Sequence, residues 1–170
     1  METKQYIPTE GTAYAIFACG CFWGTQYQFA RQQGVLRTFP GYIGGHVEHP
    51  SYEEVKAQRT GHLEGVVVEY DPRRTSFRSL CQFFFEIHDP AQLDGQGPDI
   101  GSQYLSAIFC RDAEQRAVAE EVIADLRSRG YEVNTQLREE SPFWIAEEYH
   151  QDDYAKTGGE PYCHLWVKKF

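Results

Sequence analysis

The chain has 170 residues, 41% hydrophobic and 24% charged, a balance that excludes a disordered or low-complexity polypeptide and supplies material for one self-sufficient core. Sixteen Lys and Arg stand against 25 Asp and Glu for a net charge of −9, so a nucleic-acid or anionic-lipid surface would meet mostly like charge. Residues 11–30 are uncharged, but glycines and glutamines interrupt them and only residues 13–18 are strongly apolar, too few to cross a bilayer. Glu2, Lys4 and Glu10 give no basic leader, and a cytosolic protein is expected.

Residues 12–18 form an apolar, aromatic-rich run suited to a buried strand, and after Gly20 residues 22–33 suit a helix ended by Gly34. A second strand is predicted over 35–43 despite Pro40 and Gly41, followed by a loop at Gly44 and Gly45. The clearest strand is 63–70, centred on Val66, Val67 and Val68 and stopped by Asp71 and Pro72. Residues 76–88 read as an amphipathic helix with a hydroxyl cap and an end before Pro90. Residues 90–101 read as turn-rich loop and 104–110 as a strand. The longest predicted helix is 112–129, where Val118, Val122 and Leu126 recur every four residues and Gly130 follows the end. A last strand is expected over 131–137. From residue 139 regularity fades, with a short helix somewhere in 142–154.

This order fits an α+β fold, a ferredoxin-like two-layer α/β sandwich with added loops and an irregular C-terminal segment. A single domain over residues 1–170 is expected, its core at 12–138 and its C-terminal segment at 139–170.

The five cysteines are Cys19, Cys21, Cys81, Cys110 and Cys163, an odd set that cannot close into a complete disulfide framework. Without an export signal, free or catalytic thiols are favoured over staples. Cys21 falls at the predicted strand-to-helix turn. Unpaired amides and the positive end of the helix dipole favour a thiolate there, lowering a thiol pKa from about 8.5. The bland alternative is a small buried hydrophobe. Phe22 and Trp23 could equally be core or the walls of an apolar cleft beside the thiol.

Gly20-Cys21-Phe22-Trp23-Gly24 resembles the active-site signature of the A-class peptide methionine sulfoxide reductases, enzymes that repair one sulfoxide epimer. The resemblance extends to Ser51-Tyr52 with Val55, to Thr60-Gly61-His62-Leu63-Glu64 leading into Tyr70-Asp71-Pro72, and to His88-Asp89-Pro90. It continues through Gln96-Gly97-Pro98-Asp99-Ile100-Gly101-Ser102-Gln103-Tyr104 and Ala146-Glu147-Glu148-Tyr149-His150-Gln151, in the family's order.

The resemblance implies reduction of the S epimer of methionine sulfoxide, free or in proteins. Cys21 would attack the sulfoxide sulfur and Glu64, kept protonated by burial, would act as the acid. Tyr52 and Tyr104 match phenols that hydrogen-bond the substrate oxygen, Phe22 and Trp23 the walls that receive its methyl group, and Asp99 an anchor for the substrate backbone or a water. The sulfenic acid left on Cys21 needs a resolving thiol. Cys163 is the candidate, with thioredoxin or a similar dithiol reducing the disulfide and no cofactor. Taken singly, Tyr104 could be core, Glu64 a strand-end charge and Asp99 a turn residue.

Cys19 stands where the family has glycine, Pro98 where it has Asn, Leu105 where it has Arg, and Gly65 where it has a bulkier apolar residue. Cys19 could perturb the site or compete as resolver, although a Cys-X-Cys ring is strained. Cys81 and Cys110 read as structural.

Two other classes compete. A metal-dependent hydrolase could use Cys19 and Cys21 with His46 and His49, or Cys163 with His164, but no Cys-X-X-Cys or i, i+4 histidine pair is present. A non-enzymatic module could bind methionine peptides through Phe22 and Trp23. No exposed heptad stands out, and monomer is the default expectation.

Overall fold

The computed structural model describes residues 3–151, Gly158 and residues 164–170. Among the described residues nine strands form in chain order: β1 (Lys4–Gln5), β2 (Ala13–Cys19), β3 (Val35–Ile43), β4 (Leu63–Tyr70), β5 (Gly95–Gln96), β6 (Asp99–Ile100), β7 (Ser106–Cys110), β8 (Gln136–Glu139) and β9 (Phe143–Ile145). The α-helices are α1 (Phe22–Ala30), α2 (Tyr52–Lys56), α3 (Phe77–Glu86) and α4 (Ala113–Ser128), with 3-10 turns at Ser102–Tyr104 and Glu148–His150.

The fold is mixed α/β. Its main sheet runs β1-β9-β3-β4-β2-β7-β8, antiparallel except where β8 lies parallel to β7. β5 and β6 make a separate hairpin. Both sheet faces are covered, which explains the near-continuous apolar reading of β2. Ala15, Phe17 and Cys19 face the cluster shared with α1, α3 and α4. Tyr14, Ile16 and Ala18 face a second cluster with Tyr6, Val67, Phe109 and Phe143. Phe17 stacks on Phe29 of α1 at 4.9 Å and on Phe84 of α3 at 5.0 Å between ring centroids.

Several predicted boundaries move. α1 stops at Ala30 because the chain turns through Arg31 and Gln32, whose amides bond back to Gln28 and Phe29. Ser76 and Asp112 cap α3 and α4 with their side-chain oxygens. Tyr104 ends a 3-10 turn closed by its own amide on the Gly101 carbonyl, and the strand starts only at Ser106. The strand expected over 131–137 forms instead at Gln136–Glu139. Within 142–154, Phe143–Ile145 pairs with β3 and extends the sheet past residue 138, and the short helix expected there is the 3-10 turn Glu148–His150, while residues 152–154 lie outside the described residues. The helix Tyr52–Lys56 was not predicted; Ser51 and Glu54 build a capping box there.

The end of the chain is fastened to α3. Glu86 receives the Val167 amide on its carbonyl and the Lys169 amide on its carboxylate, at 2.8 and 2.9 Å. The Lys169 ammonium donates to the Phe85 carbonyl in the last turn of α3 and to the His88 carbonyl just beyond it. Among the described residues no helix is long and apolar enough to cross a membrane.

Candidate active site

Cys21 sits between β2 and α1, at the first position before the helix. Gly20 makes that turn with φ of +99°, and a Cβ there would lie 2.7 Å from Gln96 Cβ, so a side chain is excluded by both backbone and space. Gln96 is itself buried; its amide group exchanges hydrogen bonds with the backbone of Asp89 at 2.8 and 2.9 Å. The cysteine turn, the Asp89 loop and the β5/β6 hairpin carrying Asp99 are thereby held against one another.

Glu64 enters from β4 and is 2% exposed. Its Oε1 accepts the Phe22 amide at 3.1 Å, which leaves Oε2 for a proton. Burial raises its pKa from the usual carboxylate range to about 8; the Phe22 bond opposes this and the Asp99 charge adds to it.

The thiol does not follow the helix-terminus expectation. Burial and then the Glu64 charge push the Cys21 pKa upward, and the amides of Trp23 and Gly24, which do favour the thiolate, only partly offset them. The dipole effect is present, but tertiary surroundings outweigh it, so the resting pair is a neutral thiol beside a neutral acid at pH 7.

Tyr52, the first residue of α2, and Tyr104, at the end of its 3-10 turn, face the same centre. Burial, then the Glu64 charge, pushes the Tyr52 phenol up to about 12. Tyr104 is raised by burial and by Glu64, Tyr52, Asp99 and Cys21. The structure therefore brings Cys21, Phe22, Tyr52, Glu64, Asp99 and Tyr104 into one neighbourhood: Phe22 and Glu64 are buried, while Cys21, Tyr52, Asp99 and Tyr104 are half-buried at its mouth.

Behind this centre lies an aromatic wall. Phe22 packs against Tyr42 at 5.6 Å, Tyr52 at 6.5 Å and His150 at 5.2 Å between centroids. Trp23 donates its indole N–H to His150 Nδ1 at 3.0 Å. Glu147 accepts the Tyr42 hydroxyl at 2.9 Å and the Tyr52 amide at 3.0 Å. Glu147 and His150 received no role from the sequence; the block Ala146–Gln151 was their only signal.

Cys163 lies outside the described residues. Its chain neighbour His164 is fully buried, with Nε2 2.6 Å from the Cys19 carbonyl oxygen. The imidazole fills the space where a side chain on Gly24 would stand, 2.1 Å from the missing Cβ. Cys19 is fully buried, its sulfur 3.3 Å from the Thr25 hydroxyl. Cys81 and Cys110 are buried in the helix-side cluster. Among the described residues no three His, Cys, Asp or Glu converge, and the Cys163 of the alternative metal set lies outside them. His49 instead bonds the Thr3 carbonyl and packs on Trp144.

Comparison with known proteins points one way. A family profile for peptide methionine sulfoxide reductase matches residues 13–170. The peptide methionine sulfoxide reductase MsrA of Azotobacter vinelandii is 48% identical over 160 residues, covering 91% of this chain and 74% of the relative. Among solved structures, reduced Mxr1 from Saccharomyces cerevisiae superposes with a TM-score of 0.87 at 28% identity, covering 96% of both chains. Methionine sulfoxide reductase A of Corynebacterium diphtheriae superposes with a TM-score of 0.79 at 33% identity, covering 91% of this chain and 79% of that one.

Proposed function

The chain belongs to the peptide methionine sulfoxide reductase family, and from that premise we propose that it reduces the S epimer of methionine sulfoxide, in proteins or free, with Cys21 as nucleophile and Glu64 as acid. The observation that carries this is the buried carboxyl of Glu64, held by the amide of the residue next to Cys21 and protonated up to about pH 8.

A sulfoxide oxygen leaves sulfur only once it is protonated. Tyr52 and Tyr104 donate hydrogen bonds to it, and Glu64 gives it a proton. As the oxygen gains that proton, the Cys21 thiol surrenders its own to the Glu64 carboxylate and its sulfur attacks the substrate sulfur. The S–O bond breaks as the hydroxyl passes to the Cys21 sulfur, and the S–S bond just formed breaks with it, so the substrate leaves reduced to the thioether and Cys21 is left oxidised to a sulfenic acid. Glu64 is protonated again at the end, which suits a pair that rests neutral. Phe22 and Trp23 receive the substrate methyl group, and Asp99 anchors its backbone or a water.

The Cys163 thiol then attacks the Cys21 sulfenic acid, forming a disulfide and releasing water. Thioredoxin or a similar dithiol returns both thiols by exchange. The buried seat of His164 against the Cys19 carbonyl supports this choice of resolver. The burial of Cys19 and its contact with Thr25 argue against it as one. We read residues 1–170 as one domain acting as a monomer in the cytosol. The central strand order β3-β4-β2-β7 with helices on one face supports the ferredoxin-like description of the core.

The test mixes reduced protein with a methionine S-sulfoxide peptide and counts thiols lost against methionine formed. The wild-type chain is expected to consume thiols in step with methionine, and Cys21→Ser to form none. Binding of the peptide without thiol loss by the wild-type chain would instead make it a binding module.

A further inference from the structure

We propose that Glu147 is a positioning residue for sulfoxide reduction, acting through Tyr52. The inference rests on the oxygen-binding role given to Tyr52 above.

Glu147 lies 95 residues along the chain from Tyr52, yet its Oε2 accepts the Tyr52 backbone amide at 3.0 Å while its Oε1 accepts the Tyr42 hydroxyl from β3 at 2.9 Å. The short helix α2 does not need this contact to form. Its capping box is complete without it: Ser51 Oγ takes the Glu54 amide at 3.2 Å and Glu54 Oε1 takes the Ser51 amide at 3.0 Å. What Glu147 fixes is where the helix stands. One carboxylate ties its first residue to the sheet and to the segment that presents His150, and His150 packs on Tyr52 at 4.4 Å and holds the Trp23 indole. With the Tyr52 backbone held there, its ring stacks on Phe22 at 6.5 Å and against His150 at 4.4 Å, on the side where the Glu64 and Cys21 charges act on its phenol. Misplacing a hydrogen-bond donor by even an ångström weakens it where the oxygen must be held.

The experiment measures kcat and KM for free methionine S-sulfoxide with dithiothreitol as reductant, in Glu147→Ala, Glu147→Gln, Tyr42→Phe, Tyr52→Phe and the double variant Glu147→Ala with Tyr52→Phe. Glu147→Ala is expected to lower kcat/KM about tenfold or more, mainly through KM, as befits loss of a bond to a charged group. Glu147→Gln should recover most of that, because its amide oxygen accepts the Tyr52 N–H while its NH2 donates to the Tyr42 hydroxyl. Tyr42→Phe leaves the Tyr52 bond in place but frees the carboxylate from the sheet, and should cost less than Glu147→Ala. In the Tyr52→Phe background, Glu147→Ala should cost about threefold or less, since the two act as one unit.

Wild-type kcat/KM in Glu147→Ala would overturn the inference. So would an equal cost in the Tyr52→Phe background, or a loss in Tyr42→Phe as large as that in Glu147→Ala. Should Glu147→Ala fail to fold, Glu147→Met, which fills similar volume but cannot take the Tyr52 amide, stands in for it: a loss of about tenfold that shrinks to about threefold or less in the Tyr52→Phe background supports the inference, and near-wild-type kcat/KM overturns it. Turnover by the wild-type chain tests the reductase activity separately from these ratios.

Discussion

The amide of Phe22 donates to Glu64 Oε1 at 3.1 Å, so the residue that follows Cys21 is bonded directly to the buried carboxyl. Any movement of the cysteine turn is felt by the group proposed as the acid. Glu64 has no described cation to neutralise it, and burial outweighs the Phe22 bond.

The first consequence is a pH limb on activity. Glu64 must be protonated to act, so reduction should decline as pH rises through about 8. Glu64→Gln should slow sulfoxide reduction by about 10²-fold or more, in the range for loss of a general acid, and the decline near pH 8 should vanish from what remains. Single-turnover rates between pH 6 and 10 check this; an unchanged rate at pH 7 would remove Glu64 as the acid.

Stability carries the same signature. The folded acid titrates near 8 and the unfolded one near 4.5, so in that window the native state holds a proton that the unfolded chain has lost. Stability from this group is full below about pH 4.5 and is lost as pH rises through about 8, with a slope near 1.4 kcal/mol per pH unit in between. Urea titrations at pH 5.5, 6.5 and 7.5 should show that decline in the wild-type chain and a flatter profile in Glu64→Gln.

The thiol should report on the same carboxylate. At pH 9 Glu64 is largely ionised and its charge disfavours the Cys21 thiolate. Glu64→Gln should therefore make Cys21 alkylate several-fold faster with iodoacetamide at pH 9, where one pKa unit is worth about tenfold in thiolate. A slower reaction in the variant would mean that the carboxylate assists ionisation instead.

The roles given to Cys163 and Cys19 should separate cleanly. Cys163→Ser should complete one stoichiometric turnover, hold a sulfenic acid that dimedone labels, and fail to recycle with thioredoxin. Cys19→Ser should recycle as the wild-type chain does, at a modest cost in stability from its buried place against Thr25. Normal recycling by Cys163→Ser would move the resolving role elsewhere.

Periodicity located β3 and β4 to the residue, because a half-buried or fully buried strand advertises itself over seven or more positions. Phe143–Ile145 spans three residues, too short for any period, and it counts as a strand only because β3 lies beside it. Tyr104 reads as the start of an apolar run, but Gly101 opens a tight turn that postpones the strand to Ser106. The residues of the expected site are those of the family motifs, whereas their surroundings were not legible. The direction of the Cys21 shift is set by burial and by a carboxyl 43 positions away. Glu147 and His150 act on residues 95 and 127 positions distant, and no local pattern can announce such contacts.

The fastening of Val167 and Lys169 to α3 also reaches the loop beyond that helix. The Lys169 ammonium covers the Phe85 and His88 carbonyls. Asp89 follows His88 in the chain and is gripped by Gln96, the residue paired with Asp99. Acetylation of Lys169, which removes its charge, would uncover those carbonyls and loosen the loop against which the Asp99 hairpin rests.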